Sequence, residues 1–263
     1  MSQSMSGKVA VITGAGGDVG GAAAILFAEH GASIVAVDRN AAGLAALHGR
    51  MPDGAQMVTL EADVSDEDQV AGYVRRAQET FGRIDYFFNN AGIEGSRTGA
   101  WRLIPDLSIE DFELILAVNT TGVFLGLKHV IPVMVEGGSG AIVNTSSING
   151  LKGARGQVAY VASKHAVTAM TAVTAKEWAT SGIRVNAIAP GAIQGRMLRD
   201  FVEIIQANAP PPPTNAPARY MPPPIERWAD PREIATLAHF LCSEDASYIN
   251  GACYSVDGGL IAL

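Results

Sequence analysis

The chain has 263 residues, 48% hydrophobic and 17% charged, which suits one globular domain with a large core and excludes a disordered chain. A net charge of −7 argues against nucleic acid as the main partner. The two cysteines, Cys242 and Cys253, make neither a disulfide framework nor a metal-ligand spacing, so free thiols in a reducing cytoplasm and no metal are expected. No apolar run reads as a membrane span, and residues 1–7 lack the basic and apolar parts of a signal peptide.

Strands and helices alternate from end to end. A first strand over 8–13 runs into Gly14-Ala15-Gly16-Gly17-Asp18-Val19-Gly20-Gly21 and a helix over 19–30. A second strand, 33–37, stops beside Asp38 and Arg39. A third, 57–60, precedes Asp63-Val64 and a helix over 66–81. The fourth, 84–88, leads to Asn89-Asn90-Ala91-Gly92. A helix over 109–135 opens at Ser108, which forms a capping-box-like start with Asp111. Strand 141–145, helix 158–180, strand 184–188, helix 231–241 with Pro231 in its first turn, and strand 252–256 complete the series. Several strands are nearly continuous apolar runs, as expected where both faces are covered. The alternation predicts a single α/β domain over 1–263: a Rossmann-type, doubly wound, parallel seven-stranded sheet with helices on both faces. Ligands then bind at the carboxyl ends of the strands.

The segment from Met197 to Arg227 breaks the rhythm. It holds Pro210 to Pro213, Pro217, and Pro222 to Pro224, which resist regular structure. It leaves the end of a strand and carries Met197, Phe201, Tyr220 and Met221, with Trp228 just beyond, so 196–227 reads as a substrate lid of irregular backbone.

The glycine-rich turn, between a strand and a helix, suits a dinucleotide: backbone amides can approach a pyrophosphate at a helix N-terminus. Asp38 stands where a carboxylate can accept hydrogen bonds from both adenosine ribose hydroxyls and repel a 2′-phosphate. NAD is therefore expected over NADP, with Arg39 as the counter-argument. Asp63-Val64 and Asn90-Ala91-Gly92 supply polar or small residues after the third and fourth strands. In Tyr160-Val161-Ala162-Ser163-Lys164, a phenol and an ammonium share one helix face. The charge is expected to lower the phenol pKa, making Tyr160 a proton donor and acceptor.

Together these residues resemble the short-chain dehydrogenase/reductase family, over nearly the whole chain from Lys8 to Gly259. The matching pieces are Thr13-Gly14…Gly20, Asp63-Val64, Asn89-Asn90-Ala91-Gly92, Asn119, Ser147, Tyr160…Lys164, Pro190-Gly191 and Val256-Asp257-Gly258-Gly259. The resemblance implies that Tyr160 is the acid/base and that Lys164 lowers its pKa and binds the nicotinamide ribose. It implies that Ser147 holds the substrate oxygen and that Asn119 shapes a water-linked proton path to Lys164. Ser146 is the rival serine, but side chains alternate along extended backbone, so only one of the two should face the site.

Two positions depart from the family pattern. Asp18 stands where a glycine is usual; it either points at the pyrophosphate or caps the first helix, the reading preferred here. Gly195 replaces a threonine whose hydroxyl would bond the nicotinamide carboxamide, a task left to the backbone of Ile193 or to Gln194. The expected cofactor contacts are Gly14, Gly17, Asp18, Val19, Asp38, Arg39, Asp63, Val64, Asn90, Ala91, Gly92, Tyr160, Lys164, Pro190, Gly191 and Ile193. The expected substrate contacts are Ser147, Ile148, Leu151, Tyr160, Gly191 and Met197, with Ile93 nearby and Glu94 either a polar contact or a solvated residue. The implied activity is hydride transfer between NAD(H) and a small to medium, largely apolar or cyclic secondary alcohol or ketone. The alternatives are an NADPH-dependent 3-oxoacyl carrier-protein reductase and a non-catalytic nucleotide sensor. The resemblance also implies a homotetramer.

Overall fold

A computed structural model describes residues 4–95, 101–208 and 223–262. Seven strands form one sheet: β1 (Val9–Thr13), β2 (Ser33–Asp38), β3 (Met57–Glu61), β4 (Tyr86–Asn89), β5 (Gly140–Thr145), β6 (Ile183–Pro190) and β7 (Cys253–Val256). Their order is β3-β2-β1-β4-β5-β6-β7, and every neighbouring pair is parallel. The order reverses between β1 and β4. Loops leaving those two strands diverge there and open a crevice at their carboxyl ends.

Side-chain alternation feeds two cores. Ala10, Ile12, Ile34 and Phe88 pack with Phe27 and with Ile234 and Leu241 on one face. These last three belong to α1 (Asp18–Glu29) and α8 (Pro231–Cys242). Val9, Val11, Val35 and Phe87 point the other way, onto Val70, Val130, Met134 and Val167. Those side chains come from α3 (Glu67–Phe81), α5 (Gly122–Glu136) and α6 (Val158–Trp178). Helix α5 comes so close to the sheet that a Cβ on Gly126 would lie 2.8 Å from the Phe87 ring.

The expected helix starts form at Ser108 and Pro231, the second with a cap that the sequence reading did not single out. The Ser108 side chain accepts the Asp111 N–H at 3.1 Å and opens α4 (Ile109–Leu116). Asp230 caps α8 in a full capping box with Glu233, one residue before Pro231.

Three expectations need correction, and one helix carried no sequence signal. Helix α2 (Ala41–His48), capped by Asn40, went unread because its alanine-rich sequence has little polar contrast and buries only Leu44 and Leu47. The helix expected over 109–135 is interrupted by a π-helical turn at Ala117–Thr121, between α4 and α5. By length and composition Ile109–Glu136 does pass as a membrane span; 56% of its apolar window is buried in the domain, as in a core helix. The expected irregular lid begins instead with a regular helix, α7 (Arg196–Asn208). Residues 196–208 contain no proline and are rich in helix formers, which accounts for the helix. Residues 209–222, including the first proline run, Tyr220 and Met221, lie outside the described residues, and the side chain of Phe201 is not described.

Phe87 is fully buried at the centre of β4. Phe87→Ala should cost about 3–5 kcal/mol and lower the urea midpoint accordingly; a loss under about 1 kcal/mol would contradict this packing.

Candidate active site

The strand tips are tied together before any ligand is considered. The Thr13 hydroxyl, at the end of β1, accepts the N–H groups of Asn90 (2.9 Å) and Ala91 (3.1 Å). The Asn90 side chain returns a bond to the Thr13 carbonyl at 3.1 Å and accepts one from the Thr145 hydroxyl at 3.2 Å. β1, β4 and β5 are thus stitched at one level. One residue earlier, Asn89 Nδ2 donates to Asn144 Oδ1, whose own Nδ2 donates to Thr171 on α6. The sequence offered no motif to mark Asn144 or Thr171; only their register makes them a buried polar rung.

Backbone crowding shapes the dinucleotide cradle. Gly14 has φ +69°, and a Cβ there would sit 2.9 Å from Asn90 Nδ2. A Cβ on Gly20 would lie 2.1 Å from the Gly14 carbonyl oxygen, so the turn can close only with glycine. Gly17 occupies the cap position of α1 with no side chain over the first N–H groups. At the tip of β2, Asp38 accepts Gly16 N–H on Oδ2 (2.9 Å) and Asn40 N–H on Oδ1 (2.8 Å). Each oxygen keeps a second lone pair for a ribose hydroxyl. Arg39 is exposed. Asp63 is turned onto Ser65 by its side chain, and Val64 lies buried against Gly122. This turn fits a nucleotide diphosphate at a helix N-terminus, with a carboxylate poised for the ribose.

Asp18 does not cap α1. It is the first residue of that helix, and its Oδ2 accepts the backbone N–H of Arg196 at 2.8 Å. The preferred capping reading is corrected: the cap position falls on Gly17, and the carboxylate reaches another helix. Beyond Pro190, the Gly191 N–H bonds to the Val256 carbonyl. Ile193 bridges Ala229 through bonds made by Ala192 O and Gln194 N–H rather than by its own groups. The Gln194 N–H is therefore committed to Ala229, while the backbone groups of Ile193 take no part in this bridge.

Tyr160, Lys164 and Ser163 project from the first turns of α6. Lys164 is 4% exposed; its Nζ donates to the Thr145 carbonyl at 2.8 Å and stands 5.7 Å from the Tyr160 ring centre. The Ser147 hydroxyl stands beside the Tyr160 phenol and accepts the Asn149 N–H at 3.1 Å. Ser146 turns inward to the Lys164 carbonyl and the Thr168 hydroxyl, so of the two serines only Ser147 meets Tyr160. Asn119 sits in the π turn, fully buried. Its Oδ1 accepts Ile93 N–H, and its Nδ2 donates to Ile93 O and to Ser163 Oγ. It clamps the loop after β4 onto α6. A Cβ on Gly92 would come within 3.1 Å of Asn119 Oδ1 and 3.3 Å of Lys164 Nζ, so the backbone passes close to both.

Burial reverses one electrostatic expectation. The Tyr160 phenol is pushed up to about 12, mainly by desolvation, with the Glu94 carboxylate adding to it and the Ser147 bond opposing it. Desolvation also pushes Lys164 down to about 8. In the chain alone, burial outweighs the ammonium, and Tyr160 is a protonated donor at neutral pH.

The expected substrate contacts cluster only in part. Ile148 follows Ser147 in a short 3₁₀ turn (Ile148–Gly150). Leu151 and Met197 are exposed, the latter on α7. Glu94 is not simply solvated: its carboxylate accepts the Trp101 indole N–H at 2.9 Å. The Gln157 side chain accepts from Asn149 at 2.9 Å and steadies the turn that bears Ser147, a role that Gln157, just before α6, did not advertise in sequence. Among the described residues no cluster of metal-ligating side chains occurs.

The chain belongs to the short-chain dehydrogenase/reductase family: residues 14–261 match the family described as enoyl-(acyl carrier protein) reductase. It is an oxidoreductase that interconverts a secondary alcohol and its ketone. Among its relatives is levodione reductase of Leifsonia aquatica, 41% identical over 96% of this chain and 93% of that protein. Cyclohexanol dehydrogenase of an Acinetobacter species is 36% identical over 98% and 96%. A solved structure of NAD⁺-bound xylitol dehydrogenase superposes with a TM-score of 0.90 at 34% identity, covering 97% of this chain and 99% of that one.

Lys164 has its folded pKa depressed, from 10.5 to about 8. Between those values the unfolded chain binds the extra proton, so stability contributed at this site rises with pH across the window and is lost below pH 8. The stability of the cofactor-free protein relative to Lys164→Met should therefore improve from pH 8 to 10.5 in urea melts; a flat difference would contradict the burial.

Proposed function

We propose that this chain is an NAD-dependent oxidoreductase of small to medium, largely apolar or cyclic secondary alcohols and their ketones. The observation that carries the reading is the pairing of buried Ser147 with half-buried Tyr160, with buried Lys164 one helical turn behind it, beside a turn that only glycine can close. Two of the relatives named above are called after cyclic compounds, levodione and cyclohexanol, which supports the cyclic class.

In this reading the Gly14–Gly20 turn and the α1 N-terminus hold the diphosphate, and Asp38 takes the adenosine ribose. Asp63 and Val64 flank the adenine. Asn90, Ala91 and Gly92 line the path to the second ribose, which Lys164 binds. Pro190, Gly191 and the Ile193 backbone flank the nicotinamide. The nicotinamide supplies the hydride chemistry. Tyr160 donates its proton to the carbonyl oxygen in reduction and takes the alcohol proton in oxidation. Ser147 donates to that oxygen where negative charge develops. Asn119 positions the site: its side-chain amide is committed to Ile93 and Ser163, and in this reading it shapes a water-linked proton path to Lys164. Ile148, Leu151 and Met197 line the substrate side, with α7 as the described part of a lid over 196–227.

Asp38 supports NAD over NADP, because its carboxylate is locked by two backbone N–H groups while Arg39 points to solvent. Exposed Phe124 on α5 and Val173 on α6 support a homotetramer built partly through those helices. The two free cysteines suit the cytoplasm.

Tyr160→Phe should lower kcat by at least about 10²-fold, with NADH binding by fluorescence titration nearly intact. Turnover near wild type would remove the assignment. Steady-state kinetics should give a higher kcat/KM with NAD than with NADP, and Asp38→Ala should narrow that ratio. Preference for NADP would favour the carrier-protein reductase alternative instead.

A further inference from the structure

The two departures from the family pattern meet in space. Gly195 precedes α7, and its carbonyl accepts the first helical N–H, from Arg199, at 3.2 Å. It therefore holds the position that normally caps a helix, yet has no side chain to do so. The missing acceptor comes from another element: Asp18 Oδ2 takes the Arg196 N–H at 2.8 Å. The space is reserved for it, since a Cβ on Gly195 would sit 2.2 Å from that same oxygen. Gly195 also has φ +151°, a backbone conformation that other residues rarely adopt. The carboxylate thus lies between the N-termini of α1 and α7, where both helix dipoles favour a negative charge.

We propose that Asp18 is a positioning residue that latches α7 to the dinucleotide turn, and that Gly195 is its obligate partner. Asp18 belongs by its backbone to the first turn of α1 and by its side chain to the start of α7. Order on the glycine-rich turn is then passed to α7 through one residue. A threonine-type contact near the nicotinamide is exchanged for a cap supplied from the other side of the crevice. The effect on substrate rests on the reading of α7 as part of the lid; the latch itself does not.

The test is a set of variants of the full-length protein, each melted to establish folding. Asp18→Asn keeps an oxygen acceptor and loses the charge, whereas Asp18→Gly loses the cap. Limited trypsin cleavage after Arg199, with and without NAD, reads the latch directly. Cleavage should be about fivefold faster in Asp18→Gly, with weakened protection by NAD, and close to wild type in Asp18→Asn. Gly195→Ala should accelerate cleavage in the wild-type background and less in Asp18→Gly, where the clash is gone and only the backbone strain at φ +151° remains. Cleavage of Asp18→Gly at the wild-type rate, or additive effects in the double variant, would overturn the latch. Substrate KM provides the second readout. A rise of about fivefold in Asp18→Gly, rescued by Asp18→Asn, supports the lid role. Faster cleavage with unchanged substrate KM would leave the latch standing and remove the lid reading.

Discussion

The Thr13 hydroxyl governs the crevice. It accepts two backbone N–H groups from the loop after β4, and Asn90 returns the bond to the Thr13 carbonyl. These bonds hold the loops of β1 and β4 in contact where the strand order reverses. Parallel strands cannot be joined by short turns, so their carboxyl ends carry independent loops that would otherwise splay. Once Thr13 and Asn90 fix the floor, Gly14 must pass within van der Waals reach of Asn90, and the glycine-rich turn takes the one path left to it.

The catalytic side is built on the same floor. Thr145 ends β5, donates to Asn90, and offers its carbonyl to Lys164. Lys164 is therefore positioned by the sheet as well as by its helix. Asn119 ties the loop after β4 to α6 through Ile93 and Ser163. Because each group is held by elements that are themselves packed, little reorganisation is needed when charge develops on a substrate oxygen. The π turn around Asn119 breaks an otherwise regular helix, and it does so next to the functional residues.

Electrostatics in this site follow burial rather than proximity alone. Two charges that would stabilise each other in water both lose hydration here, so the phenol stays protonated and the ammonium loosens its proton. A neutral phenol beside Ser147 is an acid ready for a carbonyl oxygen.

Much of this was legible in the sequence. Apolar runs located the inner strands, because a doubly covered parallel strand must be apolar on both faces, whereas the half-exposed edge strands β3 and β7 were placed by the alternation with helices. The glycine-rich turn, Asp38, and the Tyr160–Lys164 spacing announced themselves because their chemistry depends on local geometry. Alternation along extended backbone allowed only one of Ser146 and Ser147 to face Tyr160, the resemblance favoured Ser147, and Ser146 does turn away. Helix α2 and the break at 117–121 were not legible, since alanine carries no face and a π turn leaves no compositional mark. The sequence by itself determined the fold class and the set of reactive groups. Only the tertiary structure decided the direction of the pKa shifts, the partners of Asn119, and the destination of the Asp18 carboxylate. Desolvation and long-range hydrogen bonds depend on what packs nearby: Asp18 and Arg196 lie 178 residues apart, and no local pattern could join them.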